Sequence, residues 1–84
     1  MTLQAAYDLV IAELNRAVNK HPQSFHNPHE GYAVILEELD ELWDEIKKQK
    51  GGRDPAAAKE AAHVAAMAIR YLLEVIDESS TEQA

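Results

Sequence analysis

The first twenty residues place apolar side chains at the spacing of an amphipathic α-helix. Apolar residues stand at positions 3, 6, 7, 10, 11, 14, 17 and 18, which is the i, i+3, i+4 pattern of one helix face. Thr2 is a residue type that caps helix N-termini, and Pro22 disfavours helical backbone at the residue before it. The pattern therefore predicts a first helix over about 2–20.

Two later helices are predicted from a shared start signal, a capping side chain followed by proline. Asn27-Pro28 and Asp54-Pro55 both have this form, and proline is well tolerated at the first helical position. Gly51-Gly52 is typical of a helix end. We therefore predict helices over about 28–50 and 55–77, followed by a polar tail over 78–84.

The predicted fold is all-α, because no segment has the alternating pattern of a β-strand. We expect a three-helix antiparallel bundle that forms a single domain over 1–84. The third helix is rich in Ala and apolar on most sides, so neighbours should cover several of its faces. The core side of the second helix is predicted to carry Tyr32, Ile35, Leu39, Leu42, Trp43 and Ile46.

The size of the chain limits the core that it can bury. Of its 84 residues 46% are hydrophobic, but Ala accounts for 14 residues and there is no Cys to form a disulfide. A domain of this size is marginally stable alone. We therefore expect oligomerisation to complete the bundle, as a homodimer or homotetramer with the third helix at or near the subunit contact.

The charge of the chain argues against several classes of partner. A net charge of −7 repels nucleic-acid backbones and anionic lipids, so we expect no nucleic-acid and no membrane partner. No apolar run approaches the roughly 20 residues of a membrane span. No basic residue precedes an apolar run near Met1, as a signal peptide requires. These features predict a cytoplasmic protein.

An acidic segment suggests metal chemistry. Between Glu30 and Glu45 there are seven acidic residues and no basic one. At about 100° per residue, Glu38, Glu41 and Glu45 fall on one flank of the predicted core side. Like charges at this spacing repel by some tenths of a kcal/mol, and a divalent cation would remove that repulsion. A solvated acidic surface is the alternative interpretation.

The third helix carries ionisable side chains along one side. Glu60, His63, Arg70 and Glu74 share a stripe by the same arithmetic of about 100° per residue. If the second and third helices are antiparallel, Glu60 and His63 approach the acidic segment near Glu38 and Glu41. The alternative is a hydrogen-bonded Glu and His at a helix or subunit interface.

Two acidic motifs at this spacing resemble a known superfamily. Glu37-Glu38-Leu39-Asp40-Glu41 is an E-E-x-x-E pattern, and eighteen residues separate Glu41 from Glu60. This arrangement resembles the MazG-like, all-α nucleoside triphosphate pyrophosphohydrolases, a superfamily that includes dimeric dUTPases and dCTP pyrophosphatases. The resemblance covers about Leu3 to Ile76, and the segment from His29 to Glu45 is similar to small phage and bacterial members.

The resemblance implies a Mg²⁺-dependent enzyme that cleaves a nucleoside triphosphate into a nucleoside monophosphate and pyrophosphate. It implies that Glu38 and Glu41 are catalytic and bind metal, and that Glu60 begins the second metal-binding pair. The family usually has Asp where this chain has His63, and imidazole suits Mn²⁺ better than Mg²⁺. Either the metal preference has shifted, one metal site is lost, or the chain is a non-catalytic assembly or regulatory module with a degenerate metal site.

Three further residues are candidates for binding the substrate. Arg70 lies two turns along the helix from His63, and its guanidinium could contact a phosphate oxygen. Lys59 is a second candidate for the same contact, although solvation of the helix end explains it equally well. His29 stands at the entry to the acidic helix and could reach a substrate pocket.

Overall fold

The computed structural model describes residues 1–76 and consists of three helices. They are α1 (Leu3–Lys20), α2 (Pro28–Ile46) and α3 (Pro55–Glu74). No strand occurs in residues 1–76, which confirms the predicted all-α class. The predicted tail over 78–84 lies outside the described residues, as does the predicted end of the third helix at 77. Within the described part, α3 ends at Glu74 and Val75 is its C-cap.

Each helix begins where a capping side chain was predicted. The oxygen of each cap accepts a hydrogen bond from the backbone N–H three residues later, which satisfies one of the free donors of the first turn. The three bonds join Thr2 to Ala5 at 3.1 Å, Asn27 to Glu30 at 2.9 Å and Asp54 to Ala57 at 3.0 Å.

The end of α2 differs from the prediction. The helix stops at Ile46, four residues before the predicted end at 50. The N–H of Lys48 donates to the carbonyl of Glu45 at 3.2 Å, and the N–H of Gly51 donates to Lys48 at 2.9 Å. These i→i−3 bonds tighten the chain into turns. Gly51 and Gly52 follow with φ of 67° and 78°, a conformation that side chains disfavour.

Helix α3 is the central element of the fold. It packs along both α1 and α2, whereas α1 and α2 do not pack backbone to backbone within residues 1–76. α2 runs antiparallel to α3, because Gly31 meets Tyr71 near one end and Glu38 meets His63 near the middle. The result is an open three-helix arrangement with a groove between α1 and α2.

The buried core is small. It centres on Leu14, Ala66 and Met67, and side chains from all three helices and the first loop pack against it. These partly buried side chains are Val10, Ala17, Phe25, Val34, Ile35 and Ile69. None of the helices within residues 1–76 is both long enough and apolar enough to span a membrane.

The predicted core side of α2 is wrong for most of its residues. Tyr32, Leu39, Trp43 and Ile46 are 57%, 47%, 56% and 38% exposed. The side of α2 that meets α3 instead carries Gly31, Ile35, Glu38 and Leu42. The apolar arc of α2 is wider than the contact with one neighbouring helix, and α3 covers only one edge of it.

The exposed part of that arc forms a regular row, which we call the α2 stripe. It consists of Tyr32, Leu36, Leu39, Trp43 and Ile46. Their spacing of four, three, four and three residues is that of a coiled-coil seam. The α2 stripe is therefore an unpartnered apolar surface on the isolated chain.

Gly31 allows the start of α2 to approach α3 closely. A Cβ at this position would lie 2.6 Å from Cδ2 of Tyr71. We expect Gly31→Ala to destabilise the fold by about 1 kcal/mol, because overpacking of about 1–3 kcal/mol exceeds the gain of about 1 kcal/mol in helix propensity. In a Tyr71→Ala background the same change should stabilise instead. Urea unfolding of the four proteins measures both effects, and equal destabilisation in the two backgrounds would rule out this contact as the cause.

Candidate metal centre

Four side chains that the sequence singled out meet between α2 and α3. Glu38 and Glu41 come from α2, and Glu60 and His63 come from α3. Each offers one ligand atom, and these atoms all lie within 4.8 Å of one another. We call this group the α2–α3 cluster. Three carboxylates and one imidazole at this separation could hold a metal ion.

His63 lies at the middle of a network of carboxylates. Its Nδ1 atom is 3.3 Å from Oε2 of Glu38 and 3.3 Å from Oε2 of Glu60. Its Nε2 atom is 2.5 Å from Oε2 of Glu13 on α1. All three helices therefore contribute an acidic side chain to this one ring.

Glu38 is a partly buried carboxylate of the cluster. Burial raises the pKa of the Glu38 carboxyl, and the charge and hydrogen bond of Glu41 raise it further, against the opposing effect of His63. Its Oε2 atom is buried and accepts no hydrogen bond from the described part of the chain. Nδ1 of His63 lies 3.3 Å from this atom without hydrogen-bond geometry, so a cation coordinated there would supply the partner that the oxygen lacks.

Sequence reasoning missed Glu13. The residue is 6% exposed and also pairs with Arg16. The hydrogen bond from Arg16 is the main cause that lowers the pKa of Glu13, and the bond to His63 adds to it against the effect of burial. One signal was present, because position 13 falls among the apolar residues 10, 14 and 17 of the inward face of α1.

A groove of about 620 Å³ opens beside the cluster, between α1 and α2. Glu38 and His63 line part of it. Basic side chains at Arg16, Lys20 and Lys59 line it as well, together with Phe25, His21 and His26 from the loop after α1. The groove thus combines an acidic cluster with cations and aromatic rings, although the chain as a whole is acidic.

The structure places the three predicted substrate-binding residues differently. Lys59 lines the groove. His29 is exposed in the first turn of α2 and is not among the residues that line it. Arg70 also lines the groove, but it is 3% exposed and donates to the carbonyls of His21 and Gln23 at 2.6 and 2.7 Å. A phosphate contact for these residues stays a prediction.

Arg70 and Glu74 together anchor the loop that borders the groove. Nε of Arg70 donates to Glu74 at 2.7 Å, and the other oxygen of Glu74 accepts the N–H of Phe25 at 2.9 Å. The guanidinium also lies 5.3 Å from the centre of the Phe25 ring. Through these contacts, Arg70 holds the loop in place at the groove.

Comparison with known proteins does not assign this site to a family. No protein-family model, no curated protein and no solved structure matches the chain. The chemistry of the α2–α3 cluster and its groove is consequently the basis on which a function is proposed.

Proposed function

We propose that this protein is a MazG-like, metal-dependent nucleoside triphosphate pyrophosphohydrolase. The reaction converts a ribo- or deoxyribonucleoside triphosphate and water into the nucleoside monophosphate and pyrophosphate. One observation carries the proposal: two short acidic motifs on different helices meet in the α2–α3 cluster, with all four ligand atoms within 4.8 Å. A solvated acidic surface does not require such a meeting, and it does not require a histidine at the centre.

The groove beside the cluster supports a triphosphate as the ligand. A triphosphate carries about four negative charges, and a chain with a net charge of −7 needs local positive charge to bind it. Arg16, Lys20 and Lys59 supply three cations along the groove. A divalent cation, when bound, would neutralise phosphate charge and lower the pKa of a coordinated water.

Glu38 and Glu41 are proposed to act on the attacking water. One of these carboxylates orients the water and accepts its proton while the water oxygen attacks the α-phosphorus. The bond from that phosphorus to the bridging oxygen breaks, and pyrophosphate leaves with the electron pair. The basic side chains of the groove hold the departing phosphates through charge-assisted hydrogen bonds.

The proposed cation is Mg²⁺ or Mn²⁺. Glu38, Glu41 and Glu60 would supply the oxygen ligands that both ions accept. His63 would supply a nitrogen ligand, which favours Mn²⁺ over Mg²⁺. The cytoplasmic location stays a prediction.

We further propose that the protein is a homodimer or homotetramer in which the α2 stripe lies in a subunit contact. The buried core is too small to account for a stable isolated domain. Two copies of the α2 stripe can pack against each other, since an isologous contact uses the same surface on both subunits. The row of large apolar side chains at heptad spacing favours a second copy of this chain as the partner.

A non-catalytic helical module is the second candidate, and one observation favours it. His63 already contacts Glu13, Glu38 and Glu60, so a protonated imidazole could take the place of a cation in this cluster. The two functions differ in whether metal binding and pyrophosphate release occur, and the next two experiments decide between them.

Glu38→Gln and Glu41→Gln should each lower metal-dependent pyrophosphate release by about 100-fold or more, since each removes a proposed ligand and base. Neither should reduce the stability of the metal-free protein, and Glu38→Gln should raise it by some tenths of a kcal/mol by relieving like-charge repulsion. The measurements are pyrophosphate release from a panel of nucleoside triphosphates and thermal unfolding. Asp40→Asn, an exposed change of equal charge on the same helix, is the matched control. Loss of folding in both variants would make these carboxylates structural.

His63→Asp should strengthen Mg²⁺ binding, because it replaces an imidazole with the oxygen ligand that Mg²⁺ prefers. A ligand at 100 times its dissociation constant stabilises the folded state by about 2.7 kcal/mol, so thermal unfolding at graded Mg²⁺ concentrations measures the change. His29→Asp, at an exposed histidine that does not line the groove, is the control. If His63→Asp binds Mg²⁺ no better than the natural protein, position 63 does not ligate the metal and the non-catalytic function becomes the better one.

Leu36→Glu and Leu39→Glu should each convert the oligomer into monomers, because a carboxylate in an apolar contact is costly to desolvate. Leu72→Glu introduces the same change at a side chain of α3 that is 62% exposed. Sedimentation at low micromolar concentration measures the mass of each variant. If Leu72→Glu dissociates the protein and the α2 variants do not, the contact lies on α3, and a natural protein that sediments as a monomer contradicts oligomerisation altogether.

A further inference from the structure

We infer that Glu13 is a positioning residue that decides which ring nitrogen of His63 faces the metal. Glu13 holds the Nε2–H of His63, which leaves Nδ1 as the ligand atom directed at Glu38 and Glu60. The inference rests on the proposed metal centre and adds to it a residue from α1 that the acidic motifs do not contain.

The geometry of the Glu13 contact places a proton on Nε2. The distance from Nε2 to Oε2 of Glu13 is 2.5 Å, and an ionised carboxylate can only accept a hydrogen bond. The guanidinium of Arg16 contacts the same Oε2 atom of Glu13, and because a guanidinium can only donate, this oxygen is an acceptor. The nitrogen that faces Glu13 must therefore be the donor.

The other ring nitrogen faces the cluster. Nδ1 lies 3.3 Å from the carboxylates of both Glu38 and Glu60, and the contact with Glu60 has hydrogen-bond geometry. Because the contact of Nε2 with Glu13 is shorter, at 2.5 Å, a neutral ring keeps its single proton on Nε2. A cation held by Glu38 and Glu60 would then lie within reach of the unprotonated Nδ1. Glu13 itself is not a member of the group of ligand atoms that approach one another within 4.8 Å. It contacts the far side of the ring, as the carboxylate partner of a metal-bound histidine does.

This arrangement predicts a specific dependence on the metal. A carboxylate that fixes the neutral tautomer raises the basicity of the imidazole and holds its ring in one orientation. Mn²⁺ and Zn²⁺ benefit from that nitrogen, whereas Mg²⁺ depends chiefly on the carboxylates. Removing the hydrogen-bond acceptor at position 13 should thus weaken Mn²⁺ and Zn²⁺ binding far more than Mg²⁺ binding.

The first test measures the tautomer directly, without substrate or metal. Nitrogen NMR of the full chain with labelled histidine is recorded at a pH that leaves the imidazole neutral, and His63→Gln identifies the His63 signals. In the natural protein and in Glu13→Gln, which keeps an acceptor, the proton should reside on Nε2. In Glu13→Met it should move toward Nδ1, where Glu38 and Glu60 are the remaining acceptors. An unchanged Nε2–H signal in Glu13→Met overturns the inference.

The second test measures metal affinity by titration with Mn²⁺ and with Mg²⁺. Glu13→Met should lose about 10- to 100-fold in Mn²⁺ affinity with a much smaller loss for Mg²⁺, and Glu13→Gln should recover most of it. Asp8→Asn, an exposed acidic residue of the same helix, is the control for the change in charge. Equal losses for both metals would mean that Glu13 supports the fold rather than the ligand.

The His63→Ala background separates positioning from direct ligation. There Glu13→Met should leave Mn²⁺ affinity unchanged, because no ring remains to orient, and a further loss would make Glu13 itself a ligand. A natural protein that binds neither cation overturns the metal-positioning role together with the metal centre. Absence of pyrophosphate release with intact Mn²⁺ binding contradicts the proposed function alone.

Discussion

The contact of one imidazole with carboxylates from three helices is the constraint on which the rest of this structure depends. Glu13 of α1, Glu38 of α2 and Glu60 of α3 all approach His63, beside a small core that centres on Leu14, Ala66 and Met67. Partly buried carboxylates repel one another unless positive charge lies among them. Arg16 supplies positive charge to Glu13, and a protonated histidine or a divalent cation can supply it to Glu38 and Glu60. The stability of the fold and the chemistry of the site are therefore linked at this cluster.

Much of this arrangement could be predicted because the signals are local. Helix starts follow from three capping side chains, and the cluster follows from motif spacing and a short connection between antiparallel helices, which together fix the height of Glu38 opposite His63. Glu13 could not be placed in the same way. Its partner is fifty residues away, and although position 13 lies on the apolar face of α1, the pattern does not indicate which residue of α3 that face meets.

The misplaced core side of α2 and the unpredicted contacts of Arg70 have a common physical origin, which is the choice of neighbours. Trp43 and Tyr32 belong to an apolar arc that the helical period identifies correctly, yet only tertiary packing decides which edge of the arc α3 covers. Arg70 shares a stripe with His63, but the free carbonyls after α1 and the carboxylate of Glu74 surround its guanidinium. The hydrogen bonds of Arg70 to these partners decide where its guanidinium lies, and the pattern along α3 does not reveal them.

The position of the α2 stripe relative to the cluster explains how one helix could serve both an interface and a site. At about 100° per residue, with Ile35 taken as zero, the stripe centres near 60° and Glu41 lies near 240°. Glu41 therefore points away from any helix that packs on the stripe, while α3 occupies the side of Glu38. Pairing through α2 would bury the exposed apolar side chains and hold the helix rigid without closing the groove, because the groove opens toward α1. A chain with so small a core can in this way gain stability from a second copy and still leave its carboxylates accessible.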